Sequence, residues 1–327
     1  MLQKKIDREK SVVIETKRGP IEYMKIGSAP YALNIPGGEG GPDAVSEEKY
    51  LKELFTDKGL GMIGISRPGY RRTPISSGRT WEEQADLIAA LLDALDIKSV
   101  VVYAISGAGP SAVHFAARHP DKVAVLILGA CNLYPLGGMS KRCVPSSGLT
   151  WNIKLMYWIT ESSVMSWMTC PKVPLCNPDN PKEVEALIDQ YLQVLGTFTA
   201  DQRKAEANRL MTEEPLTVDM FINFLPTVMH PLSCRYEGHL NDHWRQVWNM
   251  QLPFDKIDVP TIIFDGKLDD DNSFEHSEYA AKMIKGAQFF PIELGHHIFS
   301  ACPGFKAEWE KVITTIKASK KLEPPLT

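Results

Sequence analysis

No stretch of this 327-residue chain stays apolar for the roughly 20 residues a membrane-crossing helix needs, so no transmembrane segment is expected. The first residues, Met-Leu-Gln-Lys-Lys-Ile-Asp-Arg-Glu-Lys, lack the apolar core of a secretory leader, and a cytoplasmic location is the expectation. No run of Lys and Arg forms a basic stripe, and 36 basic against 40 acidic residues leave a net charge of −4. That balance argues against nucleic acid or an anionic membrane as the main partner. The six cysteines follow no repeating spacing, so they read as reduced, mostly buried thiols. Cys170 and Cys176 are the pair close enough in sequence to suggest a disulfide or a metal site. Internal repeats and low-complexity tracts are also missing.

What is present is ordinary globular composition, 44% hydrophobic and 23% charged, in a chain longer than one core usually fills. One domain carrying a sizeable insertion is therefore the default. Short apolar runs at Ser11–Thr16, Pro20–Ile26, Ala32–Pro36 and Met62–Ser66 read as strands. A helix follows over Thr80–Asp96, where Thr80 and Glu83 form a capping box and Trp81, Ala85, Ile88, Leu92 and Leu95 share one face. Strands are expected at Ser99–Ile105 and Val123–Gly129, and again at Thr261–Asp265 and Gln288–Ile292. Helices are expected at Ser273–Lys285 and Lys306–Lys317. This alternation predicts an α/β fold with a mostly parallel sheet of about eight strands flanked by helices. Between residues 131 and 253 strand signals stop. Helical patterns at Trp151–Met168, Lys182–Thr212, Val218–Met229 and His239–Met250 replace them, joined by prolines. The domain reading is a core over 1–133 and 255–327, with a helical cap inserted over 134–254.

The segment richest in chemistry is Ser99–Pro120. A β-branched run stops at Ser106 and an Ala-rich helix begins a few residues later, which puts Ser106 on a tight strand-to-helix turn. Its neighbours Ala104, Gly107, Ala108 and Gly109 are small, as crowding at such a turn requires. A serine hydroxyl is a weak nucleophile and needs a base, itself held by a carboxylate. Gly266-Lys267-Leu268-Asp269 follows one late strand, and Gly295-His296-His297 follows the last. Asp269 is the expected acid, with Asp270 and Asp271 as alternatives. His296, directly after the loop glycine, is the expected base, and His297 is the alternative. All of these fall at C-terminal strand ends, the rim where open α/β sheets build their sites. The glycine-rich run from Pro36 to Pro42 lets backbone approach a ligand, so the N–H groups of Gly38 and Gly107 are assigned to an oxyanion hole.

Ile105-Ser106-Gly107-Ala108-Gly109-Pro110 and Arg67-Pro68-Gly69-Tyr70, with the late Asp and His, resemble the α/β-hydrolase superfamily over nearly the whole chain. The resemblance implies a serine hydrolase of the esterase or lipase kind with a catalytic triad, a nucleophile elbow and a helical cap. Pro36 stands where the family usually has His before the glycines, which bears on how that loop is anchored. Ala104 replaces the first elbow Gly, and Ser66 replaces the usual Asp before Arg-Pro-Gly.

Other readings compete at each motif. Gly107–Ala112 also fits G-x-G-x-x-A, but no acidic residue ends the next strand, as a dinucleotide site requires. His239 and His243 have metal-ligand spacing, yet no Glu follows the first His. Trp151, Trp158 and Trp167 of the cap are candidates for lining a substrate pocket. The expectation is hydrolysis of a small, mostly apolar ester or related acyl compound without cofactor or metal. The alternatives are carbon–carbon, lactone or amide cleavage by the same groups, and a small-molecule receptor or scaffold with little turnover.

Overall fold

The computed structural model describes residues 11–38, 40–42, 49–133, 177–224, 235, 237–238, 241–242, 250–324 and 326. Strands β1 (Val12–Thr16), β2 (Gly19–Ile26), β3 (Tyr31–Ile35), β4 (Gly61–Ile65), β5 (Val100–Ile105), β6 (Val123–Gly129), β7 (Thr261–Gly266) and β8 (Gln288–Ile292) form one sheet. Their order is β1-β2-β4-β3-β5-β6-β7-β8. β2 pairs antiparallel with β1 and β4, and every later pairing is parallel. The strands lie within a residue or so of the sequence expectation.

The central strands are buried on both faces, which is why they read as continuous apolar runs rather than alternating ones. Successive side chains of β5 nonetheless go to opposite layers. Val100, Val102 and Ala104 pack under helices α2 (Trp81–Ala94) and α3 (Gly109–Arg118), whereas Val101 and Tyr103 pack with Phe55 and Trp309. Helix α1 (Lys49–Leu54) and helix α8 (Phe305–Ala318) cover that second face, and α7 (Glu275–Met283) lies on the first. α2 starts as the sequence predicts: Thr80 Oγ1 accepts from the Glu83 N–H at 3.2 Å, and Glu83 Oε2 accepts from the Thr80 N–H at 3.1 Å.

Between β6 and β7 the described residues include helices α4 (Pro181–Leu195), α5 (Ala200–Glu213) and α6 (Pro215–Asp219), which leads into a wide turn at Met220–Phe224. Val184, Ile188, Leu192, Ala207, Leu210 and Phe221 give them an apolar cluster of their own. One helical segment was expected over Lys182–Thr212; the structure breaks it at Gly196–Thr199. Extended backbone at Gly196 ends α4, and a second capping box, Thr199 with Gln202, restarts the chain as α5. Trp151, Trp158 and Trp167 lie outside the described residues. So do His239, His243, Cys170 and Cys176, and most of the helical patterns at 151–168 and 239–250. No described helix is long and apolar enough to cross a membrane. Among the described residues no group of three or more His, Cys, Asp or Glu is arranged to hold a metal.

Candidate active site

Ser106 leaves β5 with φ +56°, a left-handed conformation that a side chain other than glycine adopts at a cost of about 1–3 kcal/mol. A single tight turn over Ser106–Ala108 then feeds α3. The small neighbours hold this turn against its surroundings. A Cβ on Gly109 would come within 2.8 Å of Cys131 Cβ, and one on Gly37 within 2.9 Å of Ser106 Cβ. The glycine loop after β3 therefore lies directly against the serine. A Cβ on Gly107 would sit 3.6 Å from the Gly38 nitrogen and 3.7 Å from Arg67 Nη2, so the backbone at Gly38 lies close to Gly107.

The glycine loop is anchored without a histidine. Arg67, 1% exposed, donates from Nε to Pro36 O at 3.1 Å and from Nη2 to Gly37 O at 3.3 Å. Its Nη1 donates to Asp242 Oδ2 at 2.6 Å, and Tyr70 donates from its hydroxyl to the same oxygen at 2.8 Å. The guanidinium also stacks on the Tyr70 ring, 4.7 Å from its centroid. One side chain thus ties the loop at the serine to Asp242, which lies beyond β6 in the inserted segment. Ser66, by contrast, serves the core: it donates to the buried Glu22 at 2.7 Å, on the antiparallel side of the sheet.

The other half of the site comes from the loops after β7 and β8. Gly266 and Gly295 are in backbone contact, since a Cβ on Gly266 would fall 2.2 Å from the Gly295 carbonyl carbon. Leu268 N–H then donates to Gly295 O at 2.8 Å and Lys267 N–H to Ile292 O at 3.0 Å, which zips the two loops together. Asp269 Oδ1 accepts the N–H groups of Asp271 (2.8 Å) and Asn272 (3.1 Å). Asp269 Oδ2 lies 2.8 Å from His297 Nδ1.

The carboxylate therefore engages His297 and not His296, contrary to the expectation. His296 is fully buried; its Nδ1 accepts the Ile298 N–H at 3.2 Å, and its Nε2 has no hydrogen-bond partner among the described residues. The Phe198 ring meets it edge-on at 5.6 Å. Burial first, then the nearby positive charges of His297 and Arg209, push the His296 imidazole down to about 3. The His296 imidazole is thus neutral at pH 7 and packed against Phe198 of the inserted segment. Burial alone would also depress His297, but the charge of Asp269 and its hydrogen bond, joined by Asp271 and Asp265, raise it to about 9. Asp271 Oδ2 stands 3.3 Å from His297 Nε2, so both ring nitrogens face a carboxylate.

The inserted segment reaches this site through the break between α4 and α5. Gly196 bridges to Asp269, Thr197 N–H donates to Leu268 O, and His297 N–H donates to Leu195 O, the last two both at 3.0 Å. Asn272, which sequence reasoning passed over, joins the two halves: its Nδ2 donates to Ser106 Oγ at 3.2 Å and to Ala130 O at 2.9 Å.

The fold is one shared by a class of hydrolases, and the comparisons agree. A family described as "Alpha/beta hydrolase of unknown function (DUF1057)" matches residues 32–160. The "Uncharacterized hydrolase YcgS" of Bacillus subtilis (strain 168) is 34% identical over 110 residues, 34% of this chain and 37% of that protein. The chain is 24% identical over 306 residues to the 2-hydroxy-6-oxo-6-phenylhexa-2,4-dienoate hydrolase of Comamonas testosteroni, 89% of this chain and 86% of that one. An alpha/beta hydrolase fold protein from Nakamurella multipartita superposes with a TM-score of 0.76 at 27% identity, covering 93% of this chain and 98% of that one. The chain belongs to the α/β-hydrolase superfamily.

Proposed function

We propose that the protein is a serine hydrolase in which Ser106 is the nucleophile, His297 the base and Asp269 the acid. Its substrate is a small, mostly apolar ester or related acyl compound. The observation that carries this reading is the 2.8 Å contact of Asp269 with His297, at the same sheet rim as Ser106 on its left-handed turn. In the first half-reaction His297 Nε2 takes the Ser106 proton as Oγ bonds to the acyl carbon. The N–H groups of Gly38 and Gly107 hold the oxyanion, preaimed donors of a kind worth about 2.7–4 kcal/mol each. The proton then passes to the departing alcohol and an acyl-serine remains. In the second half-reaction His297 takes a proton from water, the water oxygen attacks the acyl carbon, and Ser106 leaves as the acid is released. The segment 134–254 serves as the cap, and the contacts of Gly196 and Thr197 with the acid loop support its seat over the site.

A second reading, carbon–carbon bond hydrolysis by the same residues, draws support from the likeness to the Comamonas testosteroni hydrolase. A fluorophosphonate probe tests the shared part. Wild-type protein is expected to label covalently and Ser106→Ala to stay unlabelled. Absence of labelling in the wild type favours a receptor or scaffold and overturns the proposal. A chain-length series of p-nitrophenyl esters, run beside a vinylogous 1,5-diketone, then separates the two chemistries.

A further inference from the structure

Resting on the serine-hydrolase reading, we propose that Asn272 is a further catalytic residue, a fixed donor that stabilises negative charge on Ser106 Oγ. The orientation of its amide follows from the surroundings. Ala130 O, 2.9 Å away, can only accept, so the atom facing it is Nδ2, and the second Nδ2 hydrogen is left for Ser106 Oγ at 3.2 Å. The amide has little freedom to turn, because the residue is buried and its own N–H is committed to Asp269 Oδ1. Ala130 is itself held by its N–H to Phe264 O at 2.9 Å, in a left-handed conformation at φ +45°. The four residues from Asp269 to Asn272 thus do two tasks at once. Backbone N–H groups of the turn orient the carboxylate that holds His297, and the side chain at its end holds the hydroxyl that His297 is to deprotonate.

The effect of such a donor is differential. A serine Oγ accepts one N–H while its own hydrogen is donated elsewhere, so Asn272 and the base do not compete for the same lone pair. In the resting hydroxyl the accepted bond is between neutral groups. As the proton passes to His297, Oγ gains negative charge and the bond becomes charge-assisted, which is roughly twice as strong. In the acyl-serine Oγ is an ester oxygen and a poor acceptor. It regains charge when it departs in the second half-reaction. The donor therefore favours both charge-bearing steps over the states between them, which is the condition for raising kcat rather than lowering KM. No proton is transferred to or from Asn272.

The test uses the full chain with Asn272→Ala and Asn272→Asp, beside Ser106→Ala. The readouts are kcat and KM for a turned-over p-nitrophenyl ester, the second-order rate of fluorophosphonate labelling, and the thermal midpoint. Asn272→Ala is expected to lower kcat and the labelling rate about tenfold with KM little changed. The near-isosteric Asn272→Asp, an acceptor once ionised, is expected to be slower still at neutral pH and to recover relative to wild type as pH falls and the carboxyl gains a proton to donate. If Asn272→Ala fails to fold, the Asp variant carries the test alone through that pH dependence. Unchanged kcat and labelling in the Ala variant, or an Asp variant as fast as wild type at neutral pH, overturns the inference. Persistent labelling in Ser106→Ala instead overturns the underlying reading, so the two failures are distinct.

Discussion

Asp271→Asn is the most informative change at the base. His297 has Asp269 at Nδ1 and Asp271 at Nε2, 2.8 Å and 3.3 Å away, and the imidazolium they favour keeps its proton up to about pH 9. A general base must be neutral, so kcat/KM is expected to climb with pH and to level only near that value. At pH 7 on the order of one ring in a hundred is then neutral. Removing the Asp271 charge withdraws support from the protonated form, so the pKa falls and the rising limb moves to lower pH. The Asp271 side chain is 42% exposed, and solvent screening limits such a pair to about 0.2–1 kcal/mol. At 1.36 kcal/mol per unit the limb moves down by roughly 0.15–0.7 pH unit. Because the rate below the limb follows the neutral fraction, turnover at pH 7 rises by roughly 1.4- to 5-fold. The assay is kcat/KM for a p-nitrophenyl ester from pH 6 to 10. A limb that stays in place or moves upward refutes the reasoning. So does a wild-type limb near the ordinary histidine value of about 6.5.

Three further outcomes follow from the packing. Gly37→Ala puts a methyl 2.9 Å from Ser106 Cβ, so the glycine loop must shift; kcat is expected to fall about 100-fold, the order of one lost oxyanion donor, with the thermal midpoint nearly unchanged. Asp242→Asn leaves the buried Arg67 guanidinium without its counter-charge; urea unfolding is expected to show a loss of about 3–5 kcal/mol, with kcat falling as the Pro36–Gly37 anchor loosens. Glu22 is fully buried, and although burial by itself raises its pKa, Arg71, Ser66, Arg72 and Ser11 together hold it below the usual range. Its ionised form therefore contributes stability above about pH 4.3, lost as pH falls through the lower folded value, so the deficit of Glu22→Gln in thermal midpoint should be greatest near neutrality and shrink toward pH 3. A gap independent of pH contradicts this.

The fold was legible because its strands are short, mostly apolar runs and some of its helices carry their own start signals, as at Thr80 with Glu83. The break between α4 and α5 carried the same signal, Thr199 with Gln202 after Gly196, and was masked by helical periodicity on either side. Ser106 and Asp269, the proposed nucleophile and acid, were legible as candidates because each lies in the turn that follows a strand at the sheet rim. The choice between His296 and His297 could not be made from sequence. Both stand in one loop after the last strand, and which imidazole meets the carboxylate depends on packing against residues distant in sequence. Here Phe198, far away in sequence, occupies the space around His296 and leaves His297 to meet Asp269. The anchor of the glycine loop was hidden for a similar reason: Arg67 and Asp242 lie far apart along the chain, so no local spacing links them. Asn272 carried no motif at all.

The rate of fluorophosphonate labelling in His297→Ala and His296→Ala, compared at matched thermal midpoints, bears most directly on the site. Loss of roughly 10⁴-fold or more in His297→Ala, against no more than about tenfold in His296→Ala, is the expected pattern. The reverse order, with His296→Ala inert and His297→Ala still labelled, contradicts the assignment of the base to the imidazole that Asp269 holds.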